Sequence, residues 1–170
     1  RASTISLSDV RSPGYPEVGR IQLGSNKYIN YMRLVRFLTM GSLLEIIGPI
    51  ANRQLYEAGR TVGKSLAEKY GLSRGASFEE FVNKLQEILM KEGIGIPEVV
   101  KEEDKVVVRL HECIASAGMA NVGMTVCHFE AGIINGIYEA WSGQESETRE
   151  VSCWGKGDNS CTFVITKRLF

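Results

Sequence analysis

The end of the chain carries the pattern that most restricts its fold: two cysteines separated by a short, turn-rich segment. Cys153 and Cys161 flank the sequence Trp-Gly-Lys-Gly-Asp-Asn-Ser at 154–160. The flanking residues, 145–153 and 161–167, are typical of strands, and a glycine-rich turn between two strands predicts a hairpin. A hairpin brings its two ends together, so we expect both thiols to face the same small space.

Two further residues are placed to join these thiols. Glu150 lies three residues before Cys153, and Cys127 begins a predicted helix at 127–141, where the helix dipole favours a thiolate. Three thiolates and one carboxylate can complete the tetrahedral shell of a zinc ion. His128 is an alternative to Glu150 as the fourth ligand. The spacing also fits buried cysteines that pack as small hydrophobic residues, so both interpretations stay open at this point.

The composition narrows the classes of partner. The 170 residues carry 20 basic and 20 acidic side chains without a basic stripe, so we expect this domain not to bind nucleic acid. No apolar run reaches the roughly 18 residues that span a bilayer, so no membrane partner is expected. The absence of a secretory signal favours reduced thiols and a cytoplasmic location. Because the chain begins at Arg1 and not at Met, we expect that it was trimmed or cut from a longer protein.

The first 30 residues, rich in Ser, Gly, Pro and Asn, are expected to form an N-terminal arm with short strands or turns, and residues 31–170 a single domain. Three helices are predicted to follow the arm. The first is expected to be buried and broken near Gly41, and the third to begin with a capping box of Ser77 and Glu80. Their predicted ranges are 31–47, 49–70 and 77–92.

Strands are predicted at 95–101 and 105–111, joined by a tight acidic turn, before the helix at 127–141 and the final hairpin. Helices that come first and strands that close the chain predict an α+β fold, with helices packed on an antiparallel sheet. We expect the strands to form a meander.

Two glycines in the second helix, Gly59 and Gly63, need an explanation because each costs about 1 kcal/mol relative to alanine. The close approach of another helix accounts for them, and so does a ligand. The ligand interpretation gives a candidate pocket of Tyr56, Gly59, Gly63, Phe81 and His111. Plain core packing is an alternative explanation for the aromatic residues and for the histidine.

The strongest motif is Glu150-x-x-Cys153 followed by Gly157-Asp158-x-x-Cys161-x-Phe163. With Leu55-Tyr-Glu-Ala-Gly59 and Cys127…Glu130-Ala-Gly-Ile-Ile134, it makes residues from about 40 to 166 resemble the 4-vinyl reductase domain family. That family is similar in fold to the TRAPP vesicle-tethering subunits. In its aromatic-sensing members three cysteines and a glutamate hold zinc. The resemblance therefore implies a structural zinc ion held by Cys127, Glu150, Cys153 and Cys161, and it leaves Cys113 as a core cysteine.

The resemblance implies a domain that binds a small hydrophobic molecule, and the paired glycines favour a homodimer. Neither a Ser-His-Asp order, a Cys-His pair, a phosphate loop nor a dinucleotide fingerprint is visible, so the sequence favours binding over catalysis without deciding it. The first hypothesis is a zinc-stabilised binding domain, the sensory part of a regulator. The second is an enzyme or accessory factor in tetrapyrrole vinyl reduction. The third is a TRAPP-like interaction subunit.

Overall fold

A computed structural model describes residues 19–23 and 27–168. The first eighteen residues, which include most of the predicted arm, lie outside them. Across the described residues no helix combines the length and the apolar character needed to cross a membrane. The helices and strands are α1 (Lys27–Ile47), α2 (Ile50–Lys69), α3 (Phe78–Lys91), β1 (Ile96–Lys101), β2 (Lys105–His111), α4 (His128–Ser142), β3 (Ser146–Ser152), a 3₁₀ turn (Trp154–Lys156) and β4 (Cys161–Lys167).

The four strands form one antiparallel sheet in the order β1-β2-β4-β3. The predicted α+β fold is confirmed, but the predicted meander is wrong because β4 lies between β2 and β3. The chain leaves β2 through α4 and enters β3 one position further across the sheet. The hairpin then folds β4 back into the space that is left, pairing Leu110 with Cys161.

Helix α3 covers one face of the sheet and forms as its sequence predicts. Ser77 Oγ accepts from the Glu80 N–H at 3.1 Å, and the Glu80 carboxylate accepts from the Ser77 N–H at 2.9 Å. Such a cap satisfies helix N–H groups that would otherwise lack a partner. The apolar face of α3 is fully buried, together with the inward side chains of the sheet: Phe81, Leu85, Ile88, Leu89, Val108, Leu110, Phe163 and Ile165.

Helix α1 differs from its prediction in two respects. It starts at Lys27 and passes through Gly41 without a break, because one glycine costs a helix only about 1 kcal/mol. It is also buried on one side only, where Phe37 and Met40 lie in the core. The opposite face exposes apolar side chains, so the prediction of a buried helix is wrong.

Helices α2 and α4 cross with their backbones in contact. A Cβ atom added at Gly59 or at Gly63 would overlap a carbonyl oxygen of α4, and one added at Gly132 or at Gly136 would overlap a carbonyl oxygen of α2. The glycines of α2 therefore serve the helix crossing. The buried strip of α2 consists of Ala51, Gly59, Gly63 and Ala67.

Candidate metal centre

The β3–β4 hairpin supplies three of the four predicted ligands. Glu150 lies in β3, Cys153 follows the end of that strand, and Cys161 is the first residue of β4. The Asp158 carboxylate holds the turn by accepting a hydrogen bond from the Cys153 N–H at 2.8 Å. Gly157 completes it with a φ of 93°, which glycine adopts without strain. The Sγ atoms of Cys153 and Cys161 lie 3.9 Å apart as a result.

The N-terminus of α4 brings the fourth ligand to the hairpin. Cys127 immediately precedes the helix, and its backbone N–H donates to Glu150 Oε2 at 2.9 Å. Its Sγ atom lies 3.7 Å from that of Cys161 and 3.9 Å from that of Cys153. The structure thus brings together the four residues that the sequence predicts as ligands.

The spacing of the four donors fits a tetrahedral ion. One donor atom from each of Cys127, Glu150, Cys153 and Cys161 lies within 4.8 Å of the others. Sulfur atoms about 2.3 Å from a zinc ion stand about 3.8 Å apart at the corners of a tetrahedron. The three Sγ–Sγ distances, 3.7 to 3.9 Å, match that edge.

Glu150 also carries an unsatisfied atom. Its Oε1 is buried and has no hydrogen-bond partner among the described residues. An unpartnered buried acceptor costs about 1–3 kcal/mol, and more when it is charged. A cation between this oxygen and the three thiols would remove that cost. The donor set and the unsatisfied oxygen therefore both fit a bound metal ion.

The electrostatics of the cluster point the same way. Burial, together with the neighbouring charge of Cys153, raises the pKa of Glu150 to about 9. Burial also raises the pKa of Cys127 well above its usual range. Hydrogen bonds from Cys127 and Cys161 lower the pKa of Cys153 to about 2. Hydrogen bonds from neighbouring thiols lower the pKa of Cys113 as well. A divalent cation favours the deprotonated form of every donor.

Comparison with known proteins supports the resemblance. The family model of the 4-vinyl reductase domain matches residues 106–167, which include all four cysteines. The protein MJ0150 of Methanocaldococcus jannaschii is 37% identical over 129 residues, which cover 75% of this chain and 68% of the relative. The chain belongs to the 4-vinyl reductase domain family. The family that the motif predicts is thereby confirmed.

Solved structures share the fold of this 4-vinyl reductase domain. The phenol-responsive sensory domain of the transcription activator PoxR, solved with phenol, has a TM-score of 0.65 and 17% identity, with 79% of this chain and 73% of that chain covered. Subunit 3 of the trafficking protein particle complex from Naegleria fowleri, covalently bound to palmitic acid, has a TM-score of 0.61 and 15% identity, with 84% and 96% covered. At these identities the similarity shows the fold alone.

Two residues that the sequence did not assign to the site contact the thiols of this 4-vinyl reductase domain. Cys113 is buried, as expected of a core cysteine, but its Sγ lies 3.6 Å from that of Cys127. Ser116 Oγ lies 3.2 Å from Cys127 Sγ and 3.1 Å from Cys161 Sγ. The sequence signal for Cys113 is its position two residues after β2, the strand that pairs with β4.

His128, the alternative fourth ligand, lies outside the donor group. Among the described residues, the donor atoms that lie close enough together to hold a metal belong to Cys127, Glu150, Cys153 and Cys161, and His128 is not one of this group. His128 instead lines an open groove of about 330 Å³ between α2 and β3, together with Tyr56. Burial lowers the pKa of His128, which keeps its ring neutral at pH 7.

The residues of the predicted ligand pocket are spread over the molecule. The Tyr56 hydroxyl accepts from the Thr148 N–H at 3.0 Å at the edge of the sheet, and Gly59 and Gly63 contact α4. His111 Nε2 lies 3.2 Å from a carboxylate oxygen of Glu98 on the outer face of the sheet. Phe81 belongs to an aromatic cluster with Phe78, Tyr138 and Trp141, in which its ring stacks on Trp141 at 4.6 Å.

Proposed function

We propose that this chain is a zinc-stabilised domain that binds a small hydrophobic molecule, with Cys127, Glu150, Cys153 and Cys161 as zinc ligands. The zinc assignment rests on two observations. The donor atoms of the four residues lie close enough together to bind one ion, and Oε1 of Glu150 has no hydrogen-bond partner among the described residues. The residues show why such an ion would stabilise: it would tie the start of α4 to both ends of the β3–β4 turn. Four protein donors leave no position for a reactive water, so the ion would contribute structure.

Metal analysis tests the zinc assignment directly. We expect about one zinc ion per chain after dialysis without chelator, and less than a tenth of that in Cys153→Ser. The matched control is Val151→Ser, an exposed position on the same hairpin, which should keep the metal. Folded wild-type protein that holds no zinc, although it was expressed in zinc-supplemented medium, would overturn the assignment.

The class of ligand is supported by what similar folds hold. The PoxR sensory domain was solved with phenol, and the Naegleria fowleri subunit with palmitic acid. In this chain the aromatic cluster adjoins a groove of about 310 Å³, lined in part by Tyr138 and Trp141. Its other lining residues include Ser142, Gln144 and Lys167. An aromatic wall with a few polar groups beside it is typical of sites for small organic ligands. We therefore place the candidate ligand site in this groove, which shares only the neighbourhood of Phe81 with the predicted pocket.

The two tryptophans of the chain allow this placement to be tested. Trp141 lines the groove, whereas Trp154 lies beside Cys153 at the metal centre. With N-phenyl-1-naphthylamine as an apolar probe, we expect saturable energy transfer that Trp141→Phe removes and that Trp154→Phe retains. The opposite pattern would place the site near the hairpin, and an absence of saturable binding would contradict the ligand-binding function.

We also propose that a second copy of the chain covers the exposed α1 face, defined as Tyr31, Leu34, Val35, Leu38 and Ile46. Tyr31 is 68% exposed and Ile46 is 77% exposed. The two charged residues between Tyr31 and Ser42 point inwards: Arg33 is fully buried, and Arg36 forms a bidentate ion pair with buried Glu130. The side of the helix that would meet water is therefore its apolar side.

The apolar surface and the charge of this face both suit a homodimer. With the neighbouring Ile47 and Ile50, it presents seven apolar or aromatic side chains that are each at least 40% exposed. Contiguous exposed apolar surface of this kind marks protein–protein interfaces. From Tyr31 to Ser42 this face carries no charge that would repel an identical face across a twofold axis, and the exposed Glu45 lies at its C-terminal end beside Ile46. We expect a dimer at micromolar concentration in analytical ultracentrifugation; a monomer at that concentration would refute it.

The exposed α1 face also favours the TRAPP-like interaction subunit as a second candidate function. Native mass spectrometry of gently purified protein distinguishes the two: a co-purifying small molecule supports the sensory domain, and an empty dimer that captures a partner subunit supports the interaction role. The four buried, free thiols suit a reducing compartment, so we propose that the protein works in the cytoplasm.

A further inference from the structure

A fifth donor lies at the metal centre, outside the motif that defines it. The Sγ atom of Cys113 is 3.6 Å from that of Cys127, as close as the ligand thiols are to one another. A fourth thiolate in a tetrahedral zinc shell stands about 3.8 Å from its neighbours. The distance to Cys127 is therefore the one that a ligand would have. Because Cys113 is not among the four donors that lie within 4.8 Å of one another, its thiol would have to move toward the ion to bind it.

The backbone around Cys113 holds the thiol in this position. Glu112 has a φ of 52°, a left-handed conformation that costs a residue with a side chain about 1–2 kcal/mol. The bend turns the chain inward directly after β2. The buried guanidinium of Arg33 then donates to the carbonyl oxygens of Ile114 at 2.6 Å and of Ala117 at 2.9 Å.

The carboxylate of Glu150, in contrast, is shared between the proposed metal ion and a hydrogen bond from the protein backbone. Its Oε2 already accepts a hydrogen bond from the Cys127 N–H at 2.9 Å, which leaves Oε1 alone for an ion. Thiolate is also a softer donor than carboxylate and suits zinc among thiolates better. When Cys113 replaces Glu150, the Cys113 thiol loses its proton and the departing Glu150 carboxylate takes it up. The ion keeps four anionic donors, and the net charge of the centre does not change.

We propose that Cys113 is a reserve ligand, which takes the fourth position on the metal when the Glu150 carboxylate leaves it. The centre then has two donor sets: three thiolates with Glu150, and four thiolates with Cys113. This inference rests on the proposed zinc site. Its structural alternative is a Cys113 thiol that only donates a hydrogen bond to the Cys127 thiolate.

Cobalt(II) binding to the full chain separates these alternatives, because sulfur-to-cobalt charge-transfer absorption grows with the number of bound thiolates. Four proteins are compared: wild type, Cys113→Ser, Glu150→Gln and the double variant. Glutamine keeps an oxygen for the Cys127 N–H but removes the anionic donor. We expect wild type and Cys113→Ser to show three-thiolate spectra, and Glu150→Gln to bind one cobalt ion with a stronger, four-thiolate spectrum.

The affinities give a second readout. Loss of a supporting group around a metal typically lowers the affinity about 10- to 100-fold. We expect Glu150→Gln to lose less than about tenfold and the double variant to lose more than about 100-fold, because only the double variant lacks both candidates for the fourth position. If Glu150→Gln does not fold, Glu150→Asp, whose carboxylate is shorter by one methylene, allows the same comparison.

Two results would overturn the proposal in distinguishable ways. A Glu150→Gln protein that binds cobalt no better than the double variant, or that shows only three-thiolate absorption, excludes Cys113 as a ligand and leaves the zinc site intact. A wild-type protein that binds neither zinc nor cobalt removes both the reserve ligand and the proposed zinc site.

Discussion

The metal centre and helix α1 are unusual in opposite ways: the centre buries polar groups, and the helix exposes apolar ones. The centre buries three thiols and a carboxylate, one oxygen of which has no partner among the described residues. Helix α1 buries Arg33 and exposes Tyr31 and Leu38. A buried polar group without a hydrogen bond is stabilised when it binds an ion, whereas an exposed apolar surface is stabilised when another protein surface covers it. The contrast is the reason for proposing a cation at the first region and a second protein chain at the second.

The largest effect is expected from Cys153→Ser, which removes a metal ligand. Zinc sites that fold small peptides contribute about 10–16 kcal/mol, and a domain with its own core depends on the ion less. We expect a loss of about 3–5 kcal/mol, which lowers the melting temperature by roughly 10 °C in a domain of this size. Calorimetry with and without chelator measures it. A melt equal to that of Val151→Ser would contradict a metal-dependent hairpin.

The next largest effect on stability is expected at the glycines where α2 and α4 cross. A methyl group at Gly63 overlaps the carbonyl oxygen of Ile133, so Gly63→Ala should cost about 3 kcal/mol through overpacking. The variant should also bind zinc less tightly, because α4 positions Cys127. Its matched control is Gly41→Ala on α1, where an added Cβ meets no atom within 4 Å. There we expect a gain of about 0.5–1 kcal/mol in the free energy of unfolding. Equal effects in both variants would contradict the close crossing.

The pH dependence of stability should have opposite signs with and without metal. In the metal-free protein the pKa of Glu150 is raised to about 9 from a usual value near 4.3, so its contribution to stability is full below pH 4 and is lost as the pH rises through 9. Metal binding requires deprotonated donors and therefore strengthens over the same range. The melting-temperature gap between zinc-loaded and chelated protein should grow by roughly 5 °C or more from pH 6 to pH 9. A constant gap would argue against these four donors.

The smallest effect on stability is expected on α1. Leu38→Lys places a charge in the exposed α1 face and should weaken the dimer at least tenfold, since an unpaired charge in an interface must be desolvated. The free energy of unfolding of the monomer should change by no more than about 0.5 kcal/mol, and the zinc content should stay the same. Thr61→Lys, on the exposed side of α2, is the control. Unchanged sedimentation of Leu38→Lys would exclude this face as the interface.

The sequence predicted best those features that depend on residues close together in the chain. The Ser77 capping box and the β3–β4 hairpin each depend on residues within about ten positions of one another, and both are confirmed. The hairpin also brings Glu150, Cys153 and Cys161 close together, as the sequence predicts. Cys113 was missed because its closeness to Cys127 depends on the pairing of β2 with β4. The strand order was wrong for a similar reason, since it depends on how α4 crosses the sheet.

The prediction that α1 is buried failed because it considered burial within a single chain only. Apolar residues crowd the segment from Leu34 to Ile47, and such crowding normally indicates burial within one chain. The outward-facing ones are consistent with burial between two chains instead. The paired glycines, Gly59 and Gly63, were open to two interpretations. Glycine allows a close approach to the helix, but the sequence does not say whether a ligand or another helix makes that approach.

The crossing of α2 and α4 also limits how a signal can travel through the molecule. Where two backbones touch at four glycines, neither helix can slide or rotate against the other without a collision of main-chain atoms. The pair acts as a fixed frame, one end of which carries Cys127. Movement caused by a ligand must therefore pass through the parts attached to this frame. Helix α1 is one of them, and its exposed face would carry the movement to a neighbouring chain.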